Sequence, residues 1–363
     1  MQRVCTYGGY QGILAPLSMT KLLRHTMLLG LAFTLIACEG ATGGPHVVTG
    51  VVESGNITPP VESITETTVQ KLTYKIGPFN LPAGQKAITM WDSPGSISFQ
   101  TDEPLWITSF EDSIEEGSGN PLPIELLNLA ILTNKNETNP LCTEKESPNP
   151  FIAATSSVPK IELPQGVGYP VLVTDQLDAK VILQNPTNQD FDDVYFKFTV
   201  TAIPMKSARG FKDAMPLLLD VDPCEHSPMA VPPKEFLKQE GEFKIPASGV
   251  LTKAYGLLQD FGVEVSLSLN DQPTPIWEAQ AELSQTHQIL SLPSFDDPTG
   301  IPLKSGDSVK LGVAYDNPSN NWQSSATGAV MIYVVRTDEG EEVSSPDNSS
   351  KSVDTISVMR SLF

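Results

Sequence analysis

The chain is a succession of short runs in which apolar and polar residues alternate, separated by Pro, Gly, Asn and Asp. The clearest runs are residues 87–91, 105–108, 179–183, 194–201, 263–269 and 309–315. Alternation with a period of two, carried by β-branched and aromatic residues, is the pattern of half-buried strands. Helical periodicity is weak throughout, and residues 235–239 predict at most one helical turn. The sequence therefore predicts an all-β protein of two tandem jelly-roll-type β-sandwich domains.

A weak internal repeat underlies the prediction of two domains. Residues 178–188 and 307–320 each run a strand into Asn-Pro, followed by Thr-Asn in the first copy and Ser-Asn in the second. Each copy precedes another apolar strand. Proline fixes φ and has no ladder donor, whereas Asn, Ser and Thr bond to their own backbone. Both strands are therefore predicted to end in a tight polar turn.

The amino-terminal segment has the features of an export signal. Basic residues precede an apolar run over 27–38, which is shorter than the roughly 20 residues of a membrane-spanning helix. The run ends in Leu35-Ile36-Ala37-Cys38, which resembles the lipobox of bacterial lipoproteins. This resemblance implies cleavage before Cys38 and attachment of lipid to its thiol. Met19 is the expected initiator.

These patterns predict a linear organisation of the chain. The predicted parts are a signal peptide over residues 1–37, a lipidated flexible tether over 38–68, a first β-sandwich domain over 69–205, a second over 206–336 and a disordered acidic tail over 337–363. The lipid would be the contact with the membrane. Because Glu39 rather than Asp follows Cys38, we expect the protein in the bacterial cell envelope at the outer membrane.

The charge of the chain limits its partners. There are 43 acidic and 23 basic residues, a formal −20, and a polyanion such as nucleic acid would be repelled. Residues 1–37 hold three of the basic residues and no acid, so the mature chain would carry 20 − 43, or −23. Of the remaining cysteines, Cys142 and Cys224 can pair in an oxidising exported location, although the sequence does not show that they do.

Four segments in a particular order carry a resemblance to a known family. They are Leu-Pro-Gln-Gly-Val-Gly-Tyr-Pro at 163–170 with the strand into the first Asn-Pro, Gly-Leu-Leu-Gln-Asp-Phe-Gly at 256–262, the strand at 303–318 ending in Tyr-Asp-Asn-Pro, and Ala-Val-Met-Ile-Tyr at 329–333. Over about residues 75–335 they resemble the copper type II, ascorbate-dependent monooxygenases, the peptidylglycine alpha-hydroxylating monooxygenase family. The resemblance implies two jelly rolls that face each other across a solvent cleft and hold one copper each.

That family binds one copper through three imidazoles and the other through a His-x-His pair and a Met. Neutral imidazole suits both copper oxidation states, and thioether favours Cu(I). In this sequence the imidazole positions fall on Asn128, Leu129, Ile182, Leu257 and Gln259. Only Met331 keeps its identity, and a buried Met is more often core than ligand. The resemblance therefore implies a scaffold that has lost its redox centre, with no cofactor.

The remaining candidates for a metal site are few. In the mature chain His46 falls in the tether, His226 in a loop and His287 on a predicted strand, so the three are scattered. Cys224 with His226 is a soft pair that lacks the four ligands of structural zinc. The carboxylate pairs at 115–116, 192–193 and 296–297 are interpreted as solvated acids in loops. Residues 190–193 are the best candidates for a calcium site, because hard oxygen ligands suit that ion.

Three functions are compatible with the sequence. The favoured one is a non-catalytic, lipid-anchored envelope protein with a binding or structural role, whose protein or small-molecule ligand the sequence does not identify. The first alternative is a copper monooxygenase in which His226, His287 and Met331 converge. A weaker alternative is carbohydrate or peptide binding in an interdomain cleft, with Trp91, Trp106, Trp277 or Trp322 as stacking platforms, although each is more often a core residue.

Overall fold

The structure is a computed structural model that describes residues 52–56, 68–86, 95–142, 147–222, 224 and 229–337. These residues form 22 strands and two single-turn 3-10 helices, Ile124–Leu126 and Met205–Ser207, so the all-β prediction is confirmed. Neither helix in this part of the chain is long and apolar enough to cross a membrane. The signal peptide, Cys38, the tail after Thr337 and the strand predicted at 87–91 lie outside the described residues.

The first half of the chain contributes ten strands. They are β1 (Val52–Asn56), β2 (Thr68–Leu81), β3 (Gly95–Phe99), β4 (Leu105–Glu116), β5 (Leu127–Thr138), β6 (Pro148–Ala154), β7 (Lys160–Glu162), β8 (Val167–Val171), β9 (Leu177–Leu183) and β10 (Phe191–Pro204). Strand β1 lies in the segment predicted to be a flexible tether, and that prediction is wrong for these five residues. They pair antiparallel with the start of β2, which supplies the hydrogen bonds that a tether lacks.

The second half contributes twelve strands. They are β11 (Lys212–Asp220), β12 (Met229–Val231), β13 (Glu235–Lys244), β14 (Gly249–Leu257), β15 (Gly262–Leu269), β16 (Trp277–Gln280), β17 (Glu282–Leu283), β18 (Ile289–Ser291), β19 (Phe295–Leu303), β20 (Ser308–Asn317), β21 (Gln323–Ala326) and β22 (Ala329–Arg336). The helical turn predicted at 235–239 is instead the start of β13. Leu237 and Phe243 on this strand pack in the core at even spacing, as the period of a strand requires.

The two halves have the same topology. In the first, β2-β10-β4-β8 forms one sheet and β3-β9-β5-β6 the other; in the second, the sheets are β11-β22-β14-β19 and β13-β20-β15-β16. Only the eight strands named here for each half are now numbered from 1 to 8 along the chain. In this numbering both halves have the sheet orders 1-8-3-6 and 2-7-4-5. This order is that of a jelly roll. The fold is therefore two tandem jelly rolls, as predicted.

One sheet runs through both jelly rolls. Strand β8 of the first pairs parallel with β11 of the second, where Val167 lies opposite Lys212. This pairing joins the half-sheets into a ten-stranded sheet that extends from β1 to β19. The chain between these two parallel strands is residues 172–211 and includes β9 and β10, so the connection is long enough for the crossover that a parallel pair requires.

Strand β22 shows how the second jelly roll packs. Its residues Val330, Ile332 and Val334 belong to the core of that jelly roll, whereas Met331 and Tyr333 belong to the cluster of the first. Both faces of β11-β22-β14 are thus buried, which explains the continuous apolar run of β22. Burial of each such side chain contributes about 1.5–3 kcal/mol.

The corresponding sheet of the first jelly roll, β2-β10-β4, has a polar outer face. Thr73 and Thr199 lie opposite each other there, with 2.8 Å between their hydroxyl oxygens. Glu115 at the end of β4 is buried between Lys75 and Lys197. Burial raises the pKa of the Glu115 carboxyl, but the hydrogen bonds and charges of the two lysines outweigh it and lower the pKa overall. This face is solvated rather than packed.

Both predicted polar turns are present, and they have the same pattern of hydrogen bonds. Asn185 and Asn317 are fully buried, and the side-chain oxygen of each accepts the backbone N–H and the hydroxyl of the residue two positions later. Each Nδ2 donates at 2.8 Å to the carbonyl four positions later and also to another segment, Leu81 for Asn185 and Val231 with Pro232 for Asn317. Asn185 thereby holds the end of β2, and Asn317 holds the end of β12.

Candidate functional site

A chain of side-chain amides joins the two jelly rolls. The Gln259 Nε2 donates to the Asn128 carbonyl at 3.1 Å, and the Asn128 Nδ2 donates to Gln184 Oε1 at 3.3 Å. Gln184 in turn donates to the Glu125 carbonyl at 3.2 Å. We call Asn128, Gln184 and Gln259, with the two residues described next, the interdomain junction. Gln259 and Asn128 are both buried there.

The second half of the junction holds the oxygen of the Gln259 amide. The Thr327 backbone N–H donates to Gln259 Oε1 at 2.9 Å, and the Thr327 hydroxyl contacts the same oxygen. Tyr315 is fully buried, donates to the Thr327 carbonyl at 2.5 Å and accepts the Gln259 backbone N–H at 3.2 Å. Burial raises the pKa of the Tyr315 phenol well above its usual range. Both ends of the Gln259 amide are therefore occupied by protein.

Asp260 follows Gln259 directly in the sequence and places a carboxyl beside the junction. Burial raises the pKa of its carboxyl to about 6, even though the Ile289 backbone N–H donates to it and lowers the pKa. The charge of Glu125, from the first jelly roll, adds to the increase. Asp260 is thus a carboxyl of the second jelly roll whose pKa is also raised by a charge in the first.

The structure brings most of the positions implied by the family resemblance to this part of the molecule. Leu257 and Met331 lie on adjacent strands and pack in the cluster shared with the first jelly roll. Leu129 and Ile182 are cross-strand partners in the same cluster. Asn128 and Gln259 are hydrogen-bonded to each other's segment rather than facing each other across solvent. The cleft that the resemblance implies is therefore closed at this point, because a long amide spans the gap.

The histidine candidates do not join this group. His287 was predicted on a strand, and this prediction is wrong: it lies in the turn between β17 and β18 with φ of 64°, where its ring stacks on Phe261 with 5.2 Å between centroids. Met331 is fully buried between Leu218 and Tyr255 of the neighbouring strands. His226 lies outside the described residues. Within the described ranges, no three His, Cys, Asp or Glu side chains are grouped as a metal site would require.

The carboxylate pairs at 115–116 and 296–297 each contain an acid that is paired with lysine. Asp296 lies in β19, not in a loop, and accepts the buried Lys253 Nζ at 2.8 Å. Glu115 was likewise predicted in a loop but ends β4 between its two lysines. Asp190, in the predicted calcium segment, accepts the Ala83 backbone N–H at 2.8 Å. These contacts account for acids that the sequence could only interpret as solvated.

A small cavity lies where strands of the first jelly roll meet Tyr333 of the second. It holds about 10 Å³ and is lined by residues that include Phe151, Tyr169 and Tyr333. That volume accommodates about one water molecule, and not a sugar or a peptide. Trp106 and Trp277 are buried and Trp91 lies outside the described residues, whereas Trp322 is 57% exposed.

A disulfide links the loops of the two halves. Cys142 follows β5 and Cys224 follows β11, and their Cα atoms are 5.5 Å apart. The pairing that the sequence left open is therefore made, between residues 82 positions apart. It could not be deduced from spacing, because the two cysteines lie in different jelly rolls.

Sequence reasoning missed Thr327 and Tyr315 as partners of Gln259. The segment Gly-Leu-Leu-Gln-Asp-Phe-Gly did single out Gln259, and its alternation with Leu257 places both toward the first jelly roll. Thr327 lies in the short link before β22, where a lone threonine carries no pattern. Only the fold shows that its backbone N–H meets the Gln259 side chain.

Comparisons with known proteins find little. No known protein family and no curated protein matches the chain. Among solved structures, the STIV MCP has 12% identity and a TM-score of 0.31, with 73% of this chain and 95% of that chain covered. A chain of Sulfolobus Turreted Icosahedral Virus has 8% identity and a TM-score of 0.31, covering 73% and 90%. PNGF-II has 9% identity and a TM-score of 0.28, covering 82% and 66%. Likeness at this level carries no argument about this chain.

Proposed function

We propose that this chain is a lipid-anchored protein of the bacterial cell envelope whose joined jelly rolls serve a structural or binding role without copper chemistry. The observation that carries the proposal is that both ends of the Gln259 side-chain amide are hydrogen-bonded within the protein. Its amide holds the first jelly roll through Asn128 and the second through Thr327. A side chain that is hydrogen-bonded to both jelly rolls holds them in contact at this point.

The neighbouring positions support the same proposal. Leu257, Leu129 and Ile182 carry no donor atom for a metal, and all three are buried in the apolar cluster. The thioether of Met331 has apolar neighbours and fills space as core methionines do. Copper cycling between Cu(I) and Cu(II) needs several imidazole or thioether ligands at one point. These buried residues would supply a packed interface in place of such a site.

A copper titration tests the non-catalytic part of the proposal. We expect the purified full chain to bind no stoichiometric copper at sub-micromolar affinity and to show no ascorbate-dependent oxygen consumption above a buffer control. Met331→Leu is the matched variant, because it removes the thioether at nearly constant volume. Tight copper binding by the wild type that Met331→Leu weakens, together with oxygen consumption, would establish the copper monooxygenase instead.

Lipid attachment tests the anchoring part. In cells grown with a labelled fatty acid, we expect the wild-type chain to carry label and to sediment with membranes. Cys38→Ala should lose both, and Cys5→Ala should lose neither, since Cys5 precedes the predicted cleavage point. Retention of label by Cys38→Ala would contradict the anchor while leaving the copper experiment unaffected.

A further inference from the structure

Asp112 is a carboxylic acid inside the first jelly roll. It is 7% exposed, and neither of its side-chain oxygens has a hydrogen-bond partner among the described residues. It lies near the middle of β4, two residues from Phe110 and two from Ile114, which are both fully buried. Because side chains alternate along a strand, Asp112 faces the core with these two residues.

Its surroundings are apolar and aromatic. Asp112 lies opposite Phe198 on β10, and Phe198 lies opposite Tyr74 on β2, so the three form one row across the sheet. Tyr74 and Phe198 stack with 5.3 Å between centroids, and Phe110 stacks on Phe198 at 5.9 Å. An ionised carboxylate in such a place loses its hydration without gaining a hydrogen-bond donor, so burial strongly disfavours the charged form.

The charged groups around Asp112 do not neutralise it. Glu111 points to the opposite face of β4, and its charge disfavours a second negative charge. Asp102 near Tyr74 acts in the same sense on that phenol. On the other edge of β4, the basic residue Lys160 is exposed and pairs with Glu162 at 2.7 Å. Burial first, and Glu111 second, raise the pKa of the Asp112 carboxyl well above its usual range.

One side of Asp112 is covered by a short segment. The Asp112 backbone N–H donates to the Pro159 carbonyl at 2.9 Å, and β7 follows with only three residues paired to β4. Strand β7 has no further partner strand among the described residues, whereas β10 pairs with β4 along most of its length. Water would therefore reach the carboxyl most readily by displacement of residues 158–162.

We propose that Asp112 is a proton-binding site built into the first jelly roll, held neutral when the core is packed, whose ionisation is coupled to opening of residues 158–162. The ligand is a proton and the response is conformational. Low pH would then tighten this side of the jelly roll and high pH would loosen it. This property is independent of the anchor and of the junction.

The wild-type chain tests the proposal directly. In carbon-13 spectra of side-chain carboxyls, the Asp112 resonance should stay at its protonated position at pH 7 while the protein is folded. An ionised Asp112 at pH 7 in a folded spectrum would overturn the proposal. This measurement needs no variant and does not depend on how a substitution folds.

Variants test the coupling. Above about pH 4, where an unfolded Asp ionises, the folding equilibrium of the wild type should weaken relative to Asp112→Asn by up to about tenfold per pH unit. Glu111→Gln is the control on the same strand and should retain most of the wild-type slope. Hydrogen exchange of residues 158–162, corrected for its intrinsic pH dependence, should rise with pH in the wild type and not in Asp112→Asn. Parallel pH profiles for the two proteins would refute the coupling.

Discussion

The side chain of Gln259, from the second jelly roll, donates a hydrogen bond to the backbone carbonyl of Asn128 in the first. The same amide accepts the Thr327 N–H, so one side chain adds a hydrogen-bonded link to the apolar packing, the β8–β11 pairing and the disulfide that also join the two jelly rolls. A buried amide that is satisfied on both sides fixes direction as well as distance. The predictions begin from this contact.

Gln259→Ala should lower the free energy of unfolding by about 1–3 kcal/mol, because it leaves the partly buried Thr327 N–H without its side-chain acceptor. Urea denaturation monitored by tryptophan fluorescence measures this loss. Gln280→Ala is the control, since the exposed Gln280 side chain donates to the carboxylates of Glu264 on β15 and Glu278 on β16 and its loss should cost less than about 0.5 kcal/mol. Equal effects of the two substitutions would contradict a role for Gln259 in the junction.

Asn185→Ala and Asn317→Ala should each destabilise the protein by about 2–3 kcal/mol, because each removes a buried amide that satisfies several backbone groups. The two losses should be similar, since the two turns have the same pattern of hydrogen bonds. Thermal or denaturant unfolding of each variant checks this. Asn188→Ala, in the same turn but exposed, should change stability by less than about 0.5 kcal/mol. A large effect at one site and none at the other would argue against equivalence of the turns.

Replacement of both Cys142 and Cys224 by serine should lower stability by about 4 kcal/mol, as expected for release of a loop closed over 82 positions. Denaturant unfolding with and without a thiol reductant measures the effect. Reductant should destabilise the wild type by a similar amount and leave the double variant unchanged. If reductant lowered the stability of both equally, the link between these residues would not be its target.

Asp260 should titrate with a midpoint of about 6 in the folded protein, followed by its side-chain carbon-13 shift. Its folded pKa lies above the value of 3.8 expected in the unfolded chain, so the unfolded state releases the proton first. The contribution of Asp260 to stability therefore falls as the pH rises from about 4 to 6 and is constant above that range.

Asp260→Asn should remove that pH dependence while its amide oxygen still accepts the Ile289 N–H. Stability curves of the variant and the wild type should converge at low pH, separate between about pH 4 and 6, and differ by a constant amount above that range. A midpoint near 4 for the wild-type carboxyl would show that Asp260 is solvated, contrary to its position beside the junction.

The alternation of apolar residues predicted strands well where one face is solvated and one is buried. Residues 194–201 and 309–315 are such cases, and both lie within strands of the structure. Alternation could not show which partner each strand takes. The parallel contact of Val167 with Lys212, and the burial of β22 on both faces, depend on how two jelly rolls meet.

The candidate site was predicted only in part. The motif around Gln259 identified a residue that joins the two halves, but as a substituted metal position rather than as a contact. Asp112 was missed because an acid between Glu111 and Ser113 reads as part of a polar stretch in sequence. Its inward direction follows only when Phe110 and Ile114 are known to face the core. The local sequence pattern therefore identified strands and turns, whereas only the fold shows which face and which partners their polar residues have.

The hydroxyl pair of Thr73 and Thr199 occupies the face of the first jelly roll that corresponds to Met331 and Tyr333 in the second. Stacking of repeated units continues only while each unit offers an apolar surface to the next, and polar terminal faces keep such arrays soluble. Growth of this tandem by a third unit on that side would require the lysines and threonines of the sheet to be exchanged for apolar residues. The polar face therefore lacks the apolar surface against which a further jelly roll would pack in this direction.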